Sequence, residues 1–265
     1  MTAETLALLR RPSPAQALAH CATLAWRGVL KIRRHPLGLT DVVVGPAVFL
    51  LLFGYVFGGA IVGDTDDYLE YVFPGVVAMM TLFATMGVGV ALSSDLSAGV
   101  FDRFRSLPIV RSAPLVGAIA ADVVRQVVSL ACLLGFGLLL GIDLRAGVWP
   151  VLAGCALAVA FALSLSWAWV LLALVVDDTQ AVQGVAAVVV LPLTFVSNVF
   201  VPVETMPGWL QALAGANPVG HLVDALRGLF MGGPVAEPVL DTVLWLAAFV
   251  VLFAPLSLRA YSRRA

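Results

Sequence analysis

The stretch SDLSAGVFDRFRSLPIVRSAP, Ser94 to Pro114, is the one sizeable polar island between long apolar runs, and it carries Arg103, Arg105 and Arg111. The run before it, about Tyr71 to Leu92, and the run after it, about Leu115 to Gly141, are apolar throughout most of their length. A bilayer core about 30 Å thick is crossed by about 20 apolar residues in helical form, and both runs meet that length. Of the 265 residues, 61% are hydrophobic and 12% charged, whereas a soluble domain carries about 25% charged residues. The chain therefore reads as an all-α polytopic membrane protein, with the island as a water-exposed loop.

Outward from the island, four more runs have spanning length: about Val42 to Ile61, Val148 to Val176, Val182 to Val201 and Val239 to Leu258. Six spans result, at 42–61, 71–92, 115–141, 148–176, 182–201 and 239–258, in a single transmembrane domain covering residues 1–265. Ahead of them, residues 15–35 alternate between two faces. Gln16, His20, Thr23, Arg27, Lys31 and Arg34 recur at steps of three or four, opposite Leu18, Ala22, Ala25, Val29 and Ile32. That pattern fits a helix lying on the membrane surface or packed on another protein, and Pro36 ends it. No cleavable signal peptide is visible, since the first long apolar run starts only after Asp41.

Basic residues orient the spans. The amino-terminal segment holds six Arg or Lys, the island three and the tail after Leu258 three, so twelve of fifteen fall on one side of a six-span chain. The positive-inside rule puts that side in the cytoplasm, together with both termini. Arg145 and Arg227 fall on the other side, and Arg125 lies within the third span. The loop Asp177-Asp178-Thr179-Gln180 has no basic residue and is placed by counting spans alone.

Several chemistries lack their residues. The only lysine is Lys31, followed by Ile32, so no GxxxxGK[ST] phosphate loop exists. HExxH and GxSxG are missing, His221 beside Pro218 and Gly220 reads as structural, and nothing resembles a nucleic-acid-binding patch. No catalytic or metal-binding residues are expected. Cys21, Cys132 and Cys155 read as reduced, buried thiols. Proton-driven carriers place an ionisable group near the midplane, and only Asp122 and Arg125 qualify, one turn apart. They read as a paired, snorkelling couple near the cytoplasmic interface, with a proton relay as the alternative. Ser164, Ser166, Ser197 and Asn198 are expected to bond to backbone carbonyls.

Within the island, Phe101, Phe104 and Leu107 recur at three-residue steps, with Asp102, Arg103 and Arg105 around them and Pro108 as a stop. An aromatic ridge framed by charge suits docking into a partner's groove; a loop folded back on its own spans is the other reading. Past the fifth span, residues 202–238 are cut by Pro202, Pro207 and Pro218. Pro207 suits the start of a helix through Leu213, Gly215 a left-handed end, and Asn217 the cap of a second helix from Pro218 to about Phe230. These helices are too short to span. They either re-enter the membrane within protein or anchor at the interface through Trp209.

The run SNVFVPVETMPGWLQALAGANPVGHLVDALRGLF, Ser197 to Phe230, resembles the signature region of type-2 ABC exporter permeases, closest to the daunorubicin-resistance (DrrB-like) branch. The island GVFDRFRSLPIVR, Gly99 to Arg111, is similar to that family's first cytoplasmic loop. The resemblance implies a bacterial inner-membrane transport subunit that is not itself an enzyme. It implies a second permease subunit, as a homodimer, and two copies of a separate ATPase that binds ATP and Mg, with no cofactor in this chain. Gly99, Phe101, Asp102, Arg103, Phe104, Arg105, Leu107, Pro108 and Arg111 would contact the ATPase. Pro202, Glu204, Pro207, Trp209, Asn217 and Pro218 would form an extracellular gate. The expected cargo is hydrophobic or amphipathic (a drug, antibiotic or lipid-like molecule), in contact with membrane lipid. Competing readings are a secondary multidrug carrier, an exporter of lipid-linked glycan by the same mechanism, and a membrane enzyme or assembly factor.

Overall fold

The computed structural model describes residues 36–57, 65–99 and 113–264, and among them nearly all regular structure is α-helical. The surface helix expected over 15–35 lies outside the described residues. So do Phe101, Asp102, Arg103, Phe104, Arg105, Leu107, Pro108 and Arg111. In chain order the elements are α1 (Pro36–Leu51) continued by a π-helical turn (Leu52–Phe57), α2 (Thr65–Ser97), α3 (Ala113–Leu139), α4 (Val148–Val175) and α5 (Thr179–Phe195). A 3-10 turn (Val203–Thr205), α6 (Gly208–Gly215), α7 (Pro218–Met231) and α8 (Ala236–Arg264) follow. Four stretches within these helices are long and apolar enough to cross a membrane: 67–97, 122–139, 148–175 and 236–263. The apolar helices at 44–56 and 179–195 are shorter. The chain is an all-helical, multi-pass membrane protein.

The boundaries depart from the apolar runs where polar residues have helical work to do. α2 is 33 residues long rather than the expected 71–92. Asp67 and Glu70 stand in its first two turns, where negative charge complements the helix dipole. At its far end it absorbs Ser94 to Ser97, so the island begins as helix and breaks only at Gly99, with φ 66°. α5 starts at Thr179, three residues early, because the Asp178 carboxylate caps it by accepting from the Gln180 and Ala181 amides. That cap gives the acidic loop a local purpose. α5 then stops at Phe195 instead of Val201, and residues 196–200 turn back onto α2. Gly75 permits this: a methyl there would overlap the Val199 carbonyl. α1 starts at Pro36 and α8 runs from Ala236 to Arg264, both beyond the apolar runs that predicted them.

Contacts define two ends of the bundle. The beginning of α2 meets the α3–α4 link through Glu70 and Arg145, 2.7 Å apart, and meets the turn after α5 through the Tyr68 hydroxyl, which donates to the Phe200 carbonyl at 3.3 Å. The finish of α2 meets the start of α5 through Ser93 and Thr179, 3.0 Å apart. The loop bearing the island arginines therefore leaves from one end, and α6 and α7 occupy the other.

The core runs between α2 and α4, with α7 set into it. Tyr68, Phe73, Phe161 and Phe230 are among its largest fully buried side chains. Phe73 and Phe230 have ring centroids 6.2 Å apart, and Phe230 closes on Gly154 of α4 so tightly that a methyl there would sit 2.7 Å from its ring. An anchoring helix at a membrane surface keeps a wet face. α7 does not: Val219, Leu222, Val223, Leu226 and Phe230 are all buried, and the helix packs on α2, α4, α5 and α8. It is a core element at one end of the bundle.

Candidate functional site

Two Asp-x-x-Arg pairs, Asp122–Arg125 on α3 and Asp224–Arg227 on α7, hold the interior polar contacts of the molecule. The spacing matters because residues three apart on a helix are neighbours on one face. In each pair the guanidinium binds the carboxylate and also reaches a backbone carbonyl on a different element.

Asp122 is 8% exposed. Arg125 donates to it from Nε at 2.9 Å and from Nη2. The same Nη2 donates to the carbonyl of Ala84 on α2. The guanidinium occupies the space over Gly87, where a methyl would come within 2.6 Å of its nitrogens. From the next residue of α3, the Gln126 amide donates to the Thr81 carbonyl, about one turn from Ala84 on α2, at 3.2 Å. Arg125 lies about 18 Å along α3 from its start, at 1.5 Å per residue, level with the middle of α2. The couple is paired as expected. Its cation turns sideways into the neighbouring helix. Polar contact then continues across the bundle. The Trp169 indole donates to the Thr85 hydroxyl at 2.8 Å, linking α2 to α4. The Ser257 hydroxyl donates to the Trp167 carbonyl at 3.0 Å, linking α4 to α8.

At the other end, Arg227 Nη1 donates to Asp224 at 2.9 Å and Nη2 to the Asn198 carbonyl at 3.1 Å. The guanidinium carbon stands 4.2 Å from the centre of the Tyr71 ring, a cation–π contact. The Asn198 amide donates to Asp224 at 2.6 Å. Burial raises the Asp224 carboxyl above its ordinary value, and the Arg227 charge and the Asn198 hydrogen bond draw it back. Two buried groups in the cluster lack a partner among the described residues, the Asn198 side-chain oxygen and Arg227 Nε. His221 approaches Asp241 of α8 at 3.5 Å, a structural contact.

The expected gate residues divide. Asn217 caps α7: its oxygen accepts from the Val219 amide at 2.9 Å while its amide donates to the Leu193 carbonyl at 2.7 Å, fastening α7 to α5. Asn217 and Pro218 are buried. Pro202 precedes the 3-10 turn and Pro207 precedes α6, while Glu204 and Pro207 are exposed and Trp209 is 69% exposed. Gly215 does not end α6 with a left-handed turn. It stays helical, and Ala216, at φ −92° and ψ 0°, ends the helix. Of the island residues expected to contact the ATPase, only Gly99 is described. Ser164, Ser166 and Ser197 donate to backbone carbonyls as expected, whereas the Asn198 amide goes to a carboxylate.

Sequence reasoning missed Tyr71, Asp224 and Trp169. One signal was present: Asp224 and Arg227 repeat the spacing of Asp122 and Arg125. The two basic residues that broke the charge asymmetry, Arg145 and Arg227, are each neutralised by a carboxylate, Glu70 and Asp224.

Residues 19–231 match the family model described as ABC-2 type transporter. The chain is 39% identical over 254 residues to the "Daunorubicin resistance ABC transporter permease protein DrrB1" of Streptomyces coeruleorubidus, covering 96% of this chain and 90% of that protein. It is 30% identical over 213 residues to the "Probable doxorubicin resistance ABC transporter permease protein DrrC" of Mycobacterium tuberculosis, covering 80% and 77%. A "Putative transport permease ycf38" of Cyanophora paradoxa matches at 25% over 211 residues, covering 78% and 72%. With its helices, its paired interior arginines and these relatives in view, the chain belongs to the ABC-2 type transporter family, as a DrrB-like ABC transporter permease.

Proposed function

We propose that the chain is the membrane subunit of an ATP-driven exporter in the bacterial inner membrane, carrying a hydrophobic or amphipathic cargo of the drug class. The observation that supports this best is the family match over residues 19–231 in a chain whose single lysine lies outside any phosphate loop. A transporter of this family without a nucleotide site takes its energy from a separate ATPase. Two ATPase subunits, with ATP and Mg, would grip the arginine-bearing island of two permease copies. Their closure would be carried into α2 and α3, which enter and leave that island. Six spans would follow from α1 with its π turn, α2, α3, α4, α5 with its following turn, and α8, with both termini cytoplasmic. α7 would then be a re-entrant helix of the outer gate and α6 its interfacial flap, with Trp209 at the headgroups.

Apolar surface suits such a cargo. Val48, Phe49 and Tyr55 on α1 and its π turn, and Val188 and Phe195 on α5, are exposed, and the same faces would meet lipid or the second copy. The test reconstitutes the purified chain in phosphatidylethanolamine–phosphatidylglycerol vesicles with daunorubicin as probe. Movement is expected only with the co-purified ATPase and MgATP. Uphill movement by the chain alone, abolished by collapsing a proton gradient, would overturn the reading in favour of a secondary carrier.

A further inference from the structure

We propose that Arg125 is a positioning residue for energy coupling, a clamp that makes α2 and α3 move as one body when the island between them is pushed. The inference rests on the exporter reading above and adds the element through which a push on the loop becomes movement of helices. A loop between two helices can transmit force in two ways. It can slide one helix past the other, or it can carry both together. The contacts around Arg125 select the second.

Three observations converge. The guanidinium joins a carboxylate of its own helix to the Ala84 carbonyl of the neighbouring one. Gly87 leaves the space on α2 that the guanidinium fills, where a methyl would come within 2.6 Å of its nitrogens. Gln126 repeats the cross-helix bond one turn away, at Thr81. Sliding by one helical step would strip the cation of its carbonyl in a low-dielectric interior, where no water replaces it. The pair then continues into α4, because Trp169 donates to Thr85 and its backbone packs 3.1 Å from where a methyl on Gly89 would lie. α2, α3 and α4 form the lever, and displacement of the island is delivered to α4 and to α7 packed against it. Arg125 acts through these helices and is not assigned contact with cargo.

The experiment compares Arg125→Ala, Arg125→Lys and Gly87→Ala with the parent chain, all purified with the ATPase in the same vesicles. Gly87→Ala keeps every charge and displaces the guanidinium by volume alone. Expected are ATP hydrolysis within about twofold of the parent, daunorubicin moved per ATP reduced at least tenfold in Arg125→Ala and Gly87→Ala, and partial recovery in Arg125→Lys. A purely structural role would lower yield and thermal stability and leave cargo moved per ATP unchanged, and that result overturns the proposal. A second measurement uses the permease without the ATPase. Spin labels at Ser94→Cys on α2 and Val124→Cys on α3, with Cys21, Cys132 and Cys155 replaced by alanine, should give one narrow distance, broadened by Gly87→Ala. An unchanged distribution in that variant overturns the clamp. If the parent complex fails to couple ATP to movement, the exporter reading falls while the label distances still decide whether α2 and α3 are clamped.

Discussion

The Asp122–Arg125 and Asp224–Arg227 pairs share a spacing, a salt bridge and a backbone carbonyl as third partner, yet they are built for different duties. Asp122 is 8% exposed, and its arginine is wedged over Gly87 between two long helices. Asp224 is 47% exposed, and its arginine is bonded to a carbonyl in a turn and faces Tyr71. Each neighbourhood keeps two buried polar atoms without a partner among the described residues, Thr81 Oγ1 and Gln126 Oε1 beside the first pair and Asn198 Oδ1 and Arg227 Nε beside the second, so what separates the pairs is how far water reaches the carboxylate. The enclosed pair is a rivet, and the open one is a latch between α7 and the turn that follows α5. The same four-residue motif therefore sits in an enclosed joint or a more open one according to what surrounds it.

Three variants break or sharpen that contrast. The largest effect is expected from Asp122→Ala, which leaves the partly buried Arg125 with no counter-charge. Losing one partner of an enclosed pair costs about 3–5 kcal/mol, read as the shift of an unfolding transition in mixed micelles. Asp224→Ala is expected to cost about 1–2 kcal/mol in the same assay, because water reaches that carboxylate and already shares its charge. Equal losses in the two variants would erase the distinction between rivet and latch. The smallest stability effect is expected from the double variant Asp122→Leu with Arg125→Met, near neutral within about 1 kcal/mol, since an apolar replacement strands no charge. Cargo moved per ATP should still fall in that variant, which would separate helix register from stability as the purpose of the pair.

Much of this was legible in the chain before any fold was seen, for reasons that lie in local chemistry. The long apolar runs announced helices in a bilayer, since no other element closes its own hydrogen bonds there. Asn217 before Pro218 announced the cap of α7, and the cap is present. Pro207 announced the start of α6, also present. Asp178 was passed over because an acidic loop was weighed for its charge and not for its capping oxygen. The run from Val196 to Val201 was read as span because every residue in it but Ser197 and Asn198 is apolar, and apolarity does not distinguish a helix from a turn folded back against Gly75.

What the sequence by itself determined was material and order: an apolar, helical membrane chain, a polar island of fixed position and a pair of short helices beyond it, the second of them capped by Asn217. Those follow from periodicity and side-chain chemistry, which act over a few residues. Only the tertiary structure decided that α7 is core rather than surface, that Arg125 turns toward Ala84 rather than toward water, and that Arg227 rests against Tyr71. Arg125 and Ala84, for example, are 41 positions apart, and at such separation the partner is chosen by how helices pack and not by what stands beside it in the chain.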